Sequence, residues 1–393
     1  MQTVYLNHAS ATPVHPEVLE AMLPYFDHKF YNPSTVYNLG TSVNADLEQA
    51  RDQVGGLIGA TPEEIVFTSS GAEANNHALK GAALARRKKG NHVIVSNIEH
   101  HSVLNSARFL ERLDFEVTYL PVDSNGLVHP ETLKKAIRPE TVLVSIMHAN
   151  NEIGTIQDLA QLSEVCGSSG VLFHTDAVAS AGSVPLDMDA LGVDLLSMSA
   201  GSLRGPKGVG ALYIRGNTRV MPLIHGGIQE RGRRAGTENV PGIIGMGKAA
   251  ELAKKELDGN VAKIRGLRDK LRKGIQNAIS RVNFTGHPEQ RLPGHFSLCF
   301  QAIEGEALIF RLSQKGIYVN TGSACASKAL KTSPVLTAIS MKPELAHGSA
   351  VFTFSPLNNE QEVDYVLQTL PGIVQQLRSY SPLWQEAAEA DAQ

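Results

Sequence analysis

VFTSSGAEANN, Val66–Asn76, is an apolar run that passes through two serines and a glycine into a stretch with helical spacing. A helix starting there leaves its first backbone N–H groups unbonded above the end of the strand, beside the positive end of the helix dipole. That suits a phosphate, although a Ser and Gly turn before a helix is also ordinary capping. Outward from this stretch the rhythm repeats. EIVFT, HVIVS, FEVTYLPV, TVLVSIM, VLFHTDA, VDLLSMS and GALYIR alternate with helix-length amphipathic segments between about Pro62 and Arg215. Strands joined by helical crossovers predict an α/β chain with a mostly parallel sheet, whose strand ends carry the site.

Three other strand ends bear polar residues: His100 in SNIEHHS, Asn150 and Asn151 in MHANNEIGT, and Asp176 in FHTDAVAS. Any one of them reads as a satisfied structural residue. Together with the turn at Gly71 they read as a ligand crevice. No G-x-G-x-x-G follows the first strand with an acidic residue about 20 positions on, which excludes a nicotinamide-binding Rossmann domain.

A chain of 393 residues is long enough for two domains. From about Glu251 to Arg281 the composition shifts to Lys, Glu, Arg and Leu at helical spacing, predicting a long solvated helix interrupted near Gly259 that bridges the domains. Beyond it HFSLCF, GIYVN and SAVFTF read as strands of a smaller α/β domain, followed by a helix from Gln361 and a frayed acidic tail. The expected large domain is 15–255; residues 1–14 and 256–393 form the small one.

The 36 basic and 39 acidic residues nearly balance, so neither nucleic acid nor a membrane surface is an expected partner. No apolar stretch approaches the roughly 20 residues of a membrane span, and the N-terminus has no signal-peptide pattern. Cys166, Cys299 and Cys325 are too irregularly spaced for a disulfide framework or a zinc site, which suits the cytoplasm. Cys299 lies in an apolar strand pattern and reads as core; Cys166 has no assigned role.

The motifs NNEIGT, GPKGVGALYIR, RAGTENVPGIIG and TGSACASK, in that order and running from YLNHASATPVHPEV to SPLW, resemble the cysteine desulfurases of the class V aminotransferase group. The resemblance implies the type I fold of pyridoxal-phosphate enzymes, with a seven-stranded sheet in the large domain, and a homodimer. It implies that Gly71 and Ala72 offer N–H groups to the cofactor phosphate and that Ser199 donates to it. Thr237 would reach the phosphate of the neighbouring subunit. His100 would stack on the pyridine ring, Asp176 would pair with its nitrogen, and Asn151 would approach the ring oxygen or the substrate carboxylate. Cys325 would attack the sulfur of L-cysteine and carry it as a persulfide to an IscU-like iron-sulfur scaffold protein or another acceptor. A loop suits a thiol that must visit both cofactor and partner, and Lys328 near it would favour the thiolate.

The chain departs from the family's pattern in SMSAGSLRGPKG. Gly201 stands where the family has a histidine, and Ser202 where it has the lysine that holds the cofactor covalently and moves protons at the substrate carbon. Lys207 is not a simple replacement, because the family carries that lysine as well. Val351 stands where the family usually places the arginine that clamps the substrate carboxylate, and Ala179 where a glutamine commonly contacts the ring oxygen. Two expectations follow. One is a cysteine desulfurase-like sulfurtransferase with noncovalent pyridoxal phosphate and impaired turnover. The alternative is a noncatalytic dimeric scaffold that docks an iron-sulfur scaffold protein and offers Cys325 as sulfur acceptor or transient cluster ligand. A different reaction on the same fold lacks a residue to serve as base.

Overall fold

The computed structural model describes residues 3–322 and 332–384. Cys325, Lys328 and the acidic tail after Trp384 therefore lie outside the described residues.

Twelve strands occur among the described residues: β1 (Val4–Tyr5), β2 (Ile65–Thr68), β3 (His92–Ser96), β4 (Glu116–Leu120), β5 (Thr141–Ser145), β6 (Leu172–Asp176), β7 (Leu195–Ser199), β8 (Gly210–Ile214), β9 (Val282–Phe284), β10 (His295–Phe300), β11 (Ile317–Tyr318) and β12 (Ser349–Thr353). Strands β2 to β8 form one seven-stranded sheet in the order β2-β8-β7-β6-β5-β3-β4. Only β8 runs against its neighbours, because a short turn after β7 brings the chain straight back; the other pairs are parallel. Each apolar run read from the sequence is one of these strands.

Every residue of β3, β5, β6 and β8 is buried, as expected of a sheet covered on both faces. Alternation along the strands separates two layers. Ile94, Val144, Phe173 and Leu196 pack under the helix Asn38–Ile58, through Val43, Leu47, Val54 and Ile58. Val93, Val95, Leu143, Leu172 and Leu195 pack instead against the helices Gly71–Ala85 and His101–Glu111. Parallel pairing leaves the ends of β3, β5, β6 and β7 on one edge, where His100, Asn151, Asp176 and Ser199 emerge.

A second core gathers around an antiparallel sheet of order β12-β10-β9. Phe296, Leu298, Phe300 and Phe352 meet Val363, Val366 and Leu370 of the helix Glu360–Ser379. Strand β1 pairs in parallel with β11, so that Val4 and Leu6 enter this core as well.

The helix Val240–Ala278 joins the two cores in one run of 39 residues. The break expected near Gly259 is absent. Gly259 is exposed, with nothing within 4 Å of where a side chain would start. The helix is held on both sides of it, by Val240, Ile243, Met246 and Ala250 in the first core and by Ile264, Leu267, Leu271 and Ile275 in the second. Those contacts outweigh the cost of roughly 1 kcal/mol of an internal glycine. The helix also begins well before Glu251. The Asn239 side chain accepts from the Gly242 N–H at 3.2 Å and caps it.

Cys166 and Cys299 are fully enclosed, and burial pushes both thiols up to about 12. Neither has the exposed, electropositive surroundings of a reactive thiol.

Candidate active site

At the sheet edge a cavity of about 460 Å³ opens between the two cores. Its walls come from the ends of β6 and β7, the start of the helix Gly71–Ala85, the N-terminal segment, the middle of the long helix and the segment after β12.

At its base Asp176, 5% exposed, ends β6. One carboxylate oxygen accepts the Val178 N–H at 2.9 Å, and the other accepts the Asn75 amide at 2.7 Å. Asn75 reaches it because it lies one helical turn beyond Gly71 on the same face. The same amide nitrogen donates to Ser102 Oγ at 2.8 Å, and Ser102 Oγ lies 2.7 Å from His100 Nδ1. The Ser102 N–H also points at Nδ1, at 3.2 Å, which caps the helix His101–Glu111. His100 Nδ1 is therefore an acceptor, and the ring proton sits on Nε2. Burial pushes the Asp176 carboxyl up, against the Val178 N–H, the Asn75 amide and His100, which favour its charged form. Burial lowers the His100 pKa, while Asp176 pulls it up and His101 pushes it down.

The phosphate-like corner is built by Ser70, whose hydroxyl caps the helix by accepting the Glu73 N–H at 3.1 Å. Neither the Gly71 nor the Ala72 N–H has a partner among the described residues. A Cβ at Gly71 would fall 2.5 Å from Val178 Cγ2, so only glycine leaves this corner open. Ser199 and Ser202 line the cavity beside it, with the Ser202 hydroxyl donating to the Ser199 carbonyl at 2.8 Å. Asn151 lines the wall, and its carbonyl accepts from His295 Nε2 at 3.0 Å; burial lowers His295 to about 3 and keeps the ring neutral. Asn150 is buried and closes its own turn: Oδ1 accepts the Glu152 and Ile153 N–H groups, each at 2.9 Å.

Gly71, Ala72, His100, Asn151, Asp176 and Ser199 thus line one cavity, whereas Thr237 is exposed and lies outside its lining. Val351 is buried in β12 opposite Ser297 and contributes nothing to the lining, while Ala179 does line it. Among the described residues no lysine reaches the cavity. Lys207 is tied elsewhere, donating to the Thr12 carbonyl at 2.7 Å. Sequence reading did not single out Asn75, Ser102, His295 or Arg204. Asn75 carried a signal, its spacing from Gly71, and Ser102 and Arg204 another, lying two residues after His100 and Ser202, whereas His295 is brought in by tertiary approach.

A doubly covered sheet with one reversed strand, a buried acid at a central strand end and an open helix N-terminus beside it define the type I fold of pyridoxal-phosphate enzymes. Residues 4–366 match the class V aminotransferase family. A protein from Dictyoglomus turgidum named cysteine desulfurase IscS is 49% identical over 383 residues, which cover 98% of this chain and 97% of the relative. A solved NifS-like protein superposes with a TM-score of 0.90 at 38% identity, covering 96% of this chain and all of that one. A second solved chain, described as SspA in complex with cysteine, has a TM-score of 0.80 at 34% identity and covers 91% of this chain. This chain belongs to the class V aminotransferase family, on its cysteine desulfurase branch. The family depends on pyridoxal phosphate, and the cavity fits it: the unbonded N–H groups at Gly71 match a phosphate and the buried Asp176 matches a protonated ring nitrogen.

Proposed function

We propose that this protein takes sulfur from L-cysteine onto Cys325 and passes it to an acceptor in iron-sulfur cluster assembly, with pyridoxal phosphate held without a covalent lysine. The observation that carries this reading is Asp176, buried and bonded by Asn75 and Val178 at the foot of a cavity that no described lysine enters. When bound, pyridoxal phosphate supplies an electron sink for bond changes at the amino-acid carbons. The Gly71 and Ala72 N–H groups, the helix dipole and Ser199 would hold its phosphate. Asp176 would keep the ring nitrogen protonated, and His100 would cover the ring.

At the sulfur, the Cys325 thiolate forms an S–S bond as the C–S bond of cysteine breaks. The electron pair stays with the carbon, which takes up a proton. Among the described residues no lysine amine lines the cavity to serve that proton movement. The lining offers imidazole nitrogens instead, among them His100 Nε2 and those of His8, which burial lowers to about 4. Neutral imidazoles of this kind are weak bases, so unaided turnover is slow.

The homodimer belongs to the same reading. Phe26, Phe30, Val36 and Ile228 are 65%, 67%, 95% and 89% exposed, more large apolar surface than a lone subunit leaves in water without cause. A working free thiol also needs a reducing compartment, which favours the cytoplasm. No described helix is long and apolar enough to cross a membrane.

The test is mass spectrometry of the protein incubated with pyridoxal phosphate and L-cysteine. A persulfide at Cys325, absent in Cys325→Ala, supports the reading. Borohydride should fix no cofactor on the unaltered protein and should fix it in Ser202→Lys, whose side chain starts at the cavity wall. No persulfide at any cofactor concentration, together with stable docking of an iron-sulfur scaffold protein, would favour the noncatalytic scaffold instead.

A further inference from the structure

Arg204 stands out in the cavity wall. Its backbone lies in the left-handed region, φ 60°, where a non-glycine residue is held at a cost of about 1 kcal/mol or more. The turn Ala200–Leu203 and the neighbouring chain impose this conformation. The Gly205 N–H bonds to the Ala200 carbonyl at 2.8 Å, the His15 N–H to the Arg204 carbonyl at 2.8 Å, and Thr12 Oγ1 to the Gly201 carbonyl at 2.7 Å. The side chain is presented to the cavity with its Nε enclosed and without a partner. No side-chain hydrogen bond or ion pair of Arg204 occurs among the described residues. Glu256, on the long helix, is the anionic group that acts on it, and burial lowers the guanidinium against that pull. His8 lies close enough for the guanidinium to oppose its protonation, and Thr12 lines the same cavity.

Arg204 is also the one Lys or Arg among the described residues of the lining. Val351 supplies no positive charge and does not line the cavity. An α-amino acid bound there brings a carboxylate that must find a charged donor or remain poorly compensated. We infer that Arg204 is the residue that recognises the substrate carboxylate, a role moved to the turn after β7 from the strand β12. The inference rests on the amino-acid reading of the site. It makes Arg204 a specificity-determining residue, with a fork of donors suited to one carboxylate.

The test compares two ligands that differ by the carboxylate, L-cysteine and cysteamine, titrated by absorbance into protein loaded with pyridoxal phosphate. Binding is read rather than turnover. The unaltered protein should prefer cysteine by roughly 10- to 100-fold, the value of charge-assisted hydrogen bonds to one group. Arg204→Gly removes the guanidinium and relaxes the left-handed residue, so it should fold at least as well. It should lose the preference for cysteine while binding cysteamine and pyridoxal phosphate as before. Arg204→Lys should recover part of the preference. A preference that survives in Arg204→Gly overturns the inference and leaves the proposed function standing. A drop in pyridoxal phosphate affinity with the preference intact assigns Arg204 to the phosphate and overturns it as well. If the unaltered protein binds neither amine, it is the amino-acid reading itself that fails.

Discussion

Breaking the ion pair between Arg51 and Glu230 should be among the most damaging single changes outside the cavity. Arg51 Nη1 and Nη2 donate to the two oxygens of Glu230 at 2.7 and 2.9 Å, and Nη1 also donates to the Ile65 carbonyl at 3.0 Å. Glu230 accepts a further bond from the Phe67 N–H at 2.8 Å, and the guanidinium lies 4.8 Å from the centre of the Phe67 ring. The two residues are 5% and 8% exposed. Truncating one partner of a buried pair leaves the other charge uncompensated, at a cost of about 3–5 kcal/mol. Glu48, 42% exposed on its side chain, remains 3.1 Å from Arg51 Nε, so Glu230→Ala belongs at the lower end, about 3 kcal/mol. For a unit of this size each kcal/mol moves the midpoint by roughly 2–4 °C, which gives a loss of roughly 6–12 °C in thermal unfolding followed by circular dichroism. Arg51→Met combined with Glu230→Met should recover most of it, since an apolar pair carries no stranded charge. A Glu230→Ala cost under about 1 kcal/mol, the value of an exposed pair, would refute this account.

Gly71→Ala should weaken pyridoxal phosphate binding at least about tenfold in a fluorescence titration, because its Cβ collides with Val178. Adding Val178→Ala should restore most of the affinity, and a lasting defect in the double variant would point away from that clash. Asn75→Leu removes a charge-assisted bond to Asp176 and should lower cofactor affinity by roughly 10-fold or more; unchanged affinity would count against the Asp176 role. Stability should peak near pH 6.5 in urea titrations. His8, His77, His92 and His148 are lowered from 6.5 to about 4, and His174 and His295 to about 3. Each binds a proton in the unfolded chain that it loses on folding, so stability rises with pH through that window. Glu99 and Glu152 are raised from 4.5 to about 8, so the folded chain holds their protons and stability falls as pH climbs towards 8. A flat profile between pH 5 and 9 would contradict those burial effects.

The sheet was legible because fully buried strands read as continuous apolar runs bounded by turn residues, and Asp176, His100 and Asn151 were legible as polar punctuation at the ends of those runs. Two things were not. Gly259 looked like a break because propensity is local, whereas the helix is secured by packing in both cores on either side of it. Arg204 was not singled out, because the left-handed turn that aims it depends on Thr12 and His15, about 190 positions away along the chain. The chain from Asp176 through Asn75 and Ser102 to His100 likewise joins segments whose adjacency only the folded crossovers create.

The unbroken helix Val240–Ala278 has a mechanical consequence. At a rise of about 1.5 Å per residue it is a beam about 58 Å long. Leu252, Ala253, Glu256, Asn260 and Ile264, from its middle, form part of the cavity wall. The two cores are therefore locked in rotational phase as well as in distance. One residue inserted near Gly259 would turn everything beyond it by about 100° and advance it by about 1.5 Å, presenting a different face of the beam to β10 and β12. The helix thus sets one wall of the cavity by its torsional stiffness, alongside direct contacts between the cores such as His295 Nε2 on the Asn151 carbonyl.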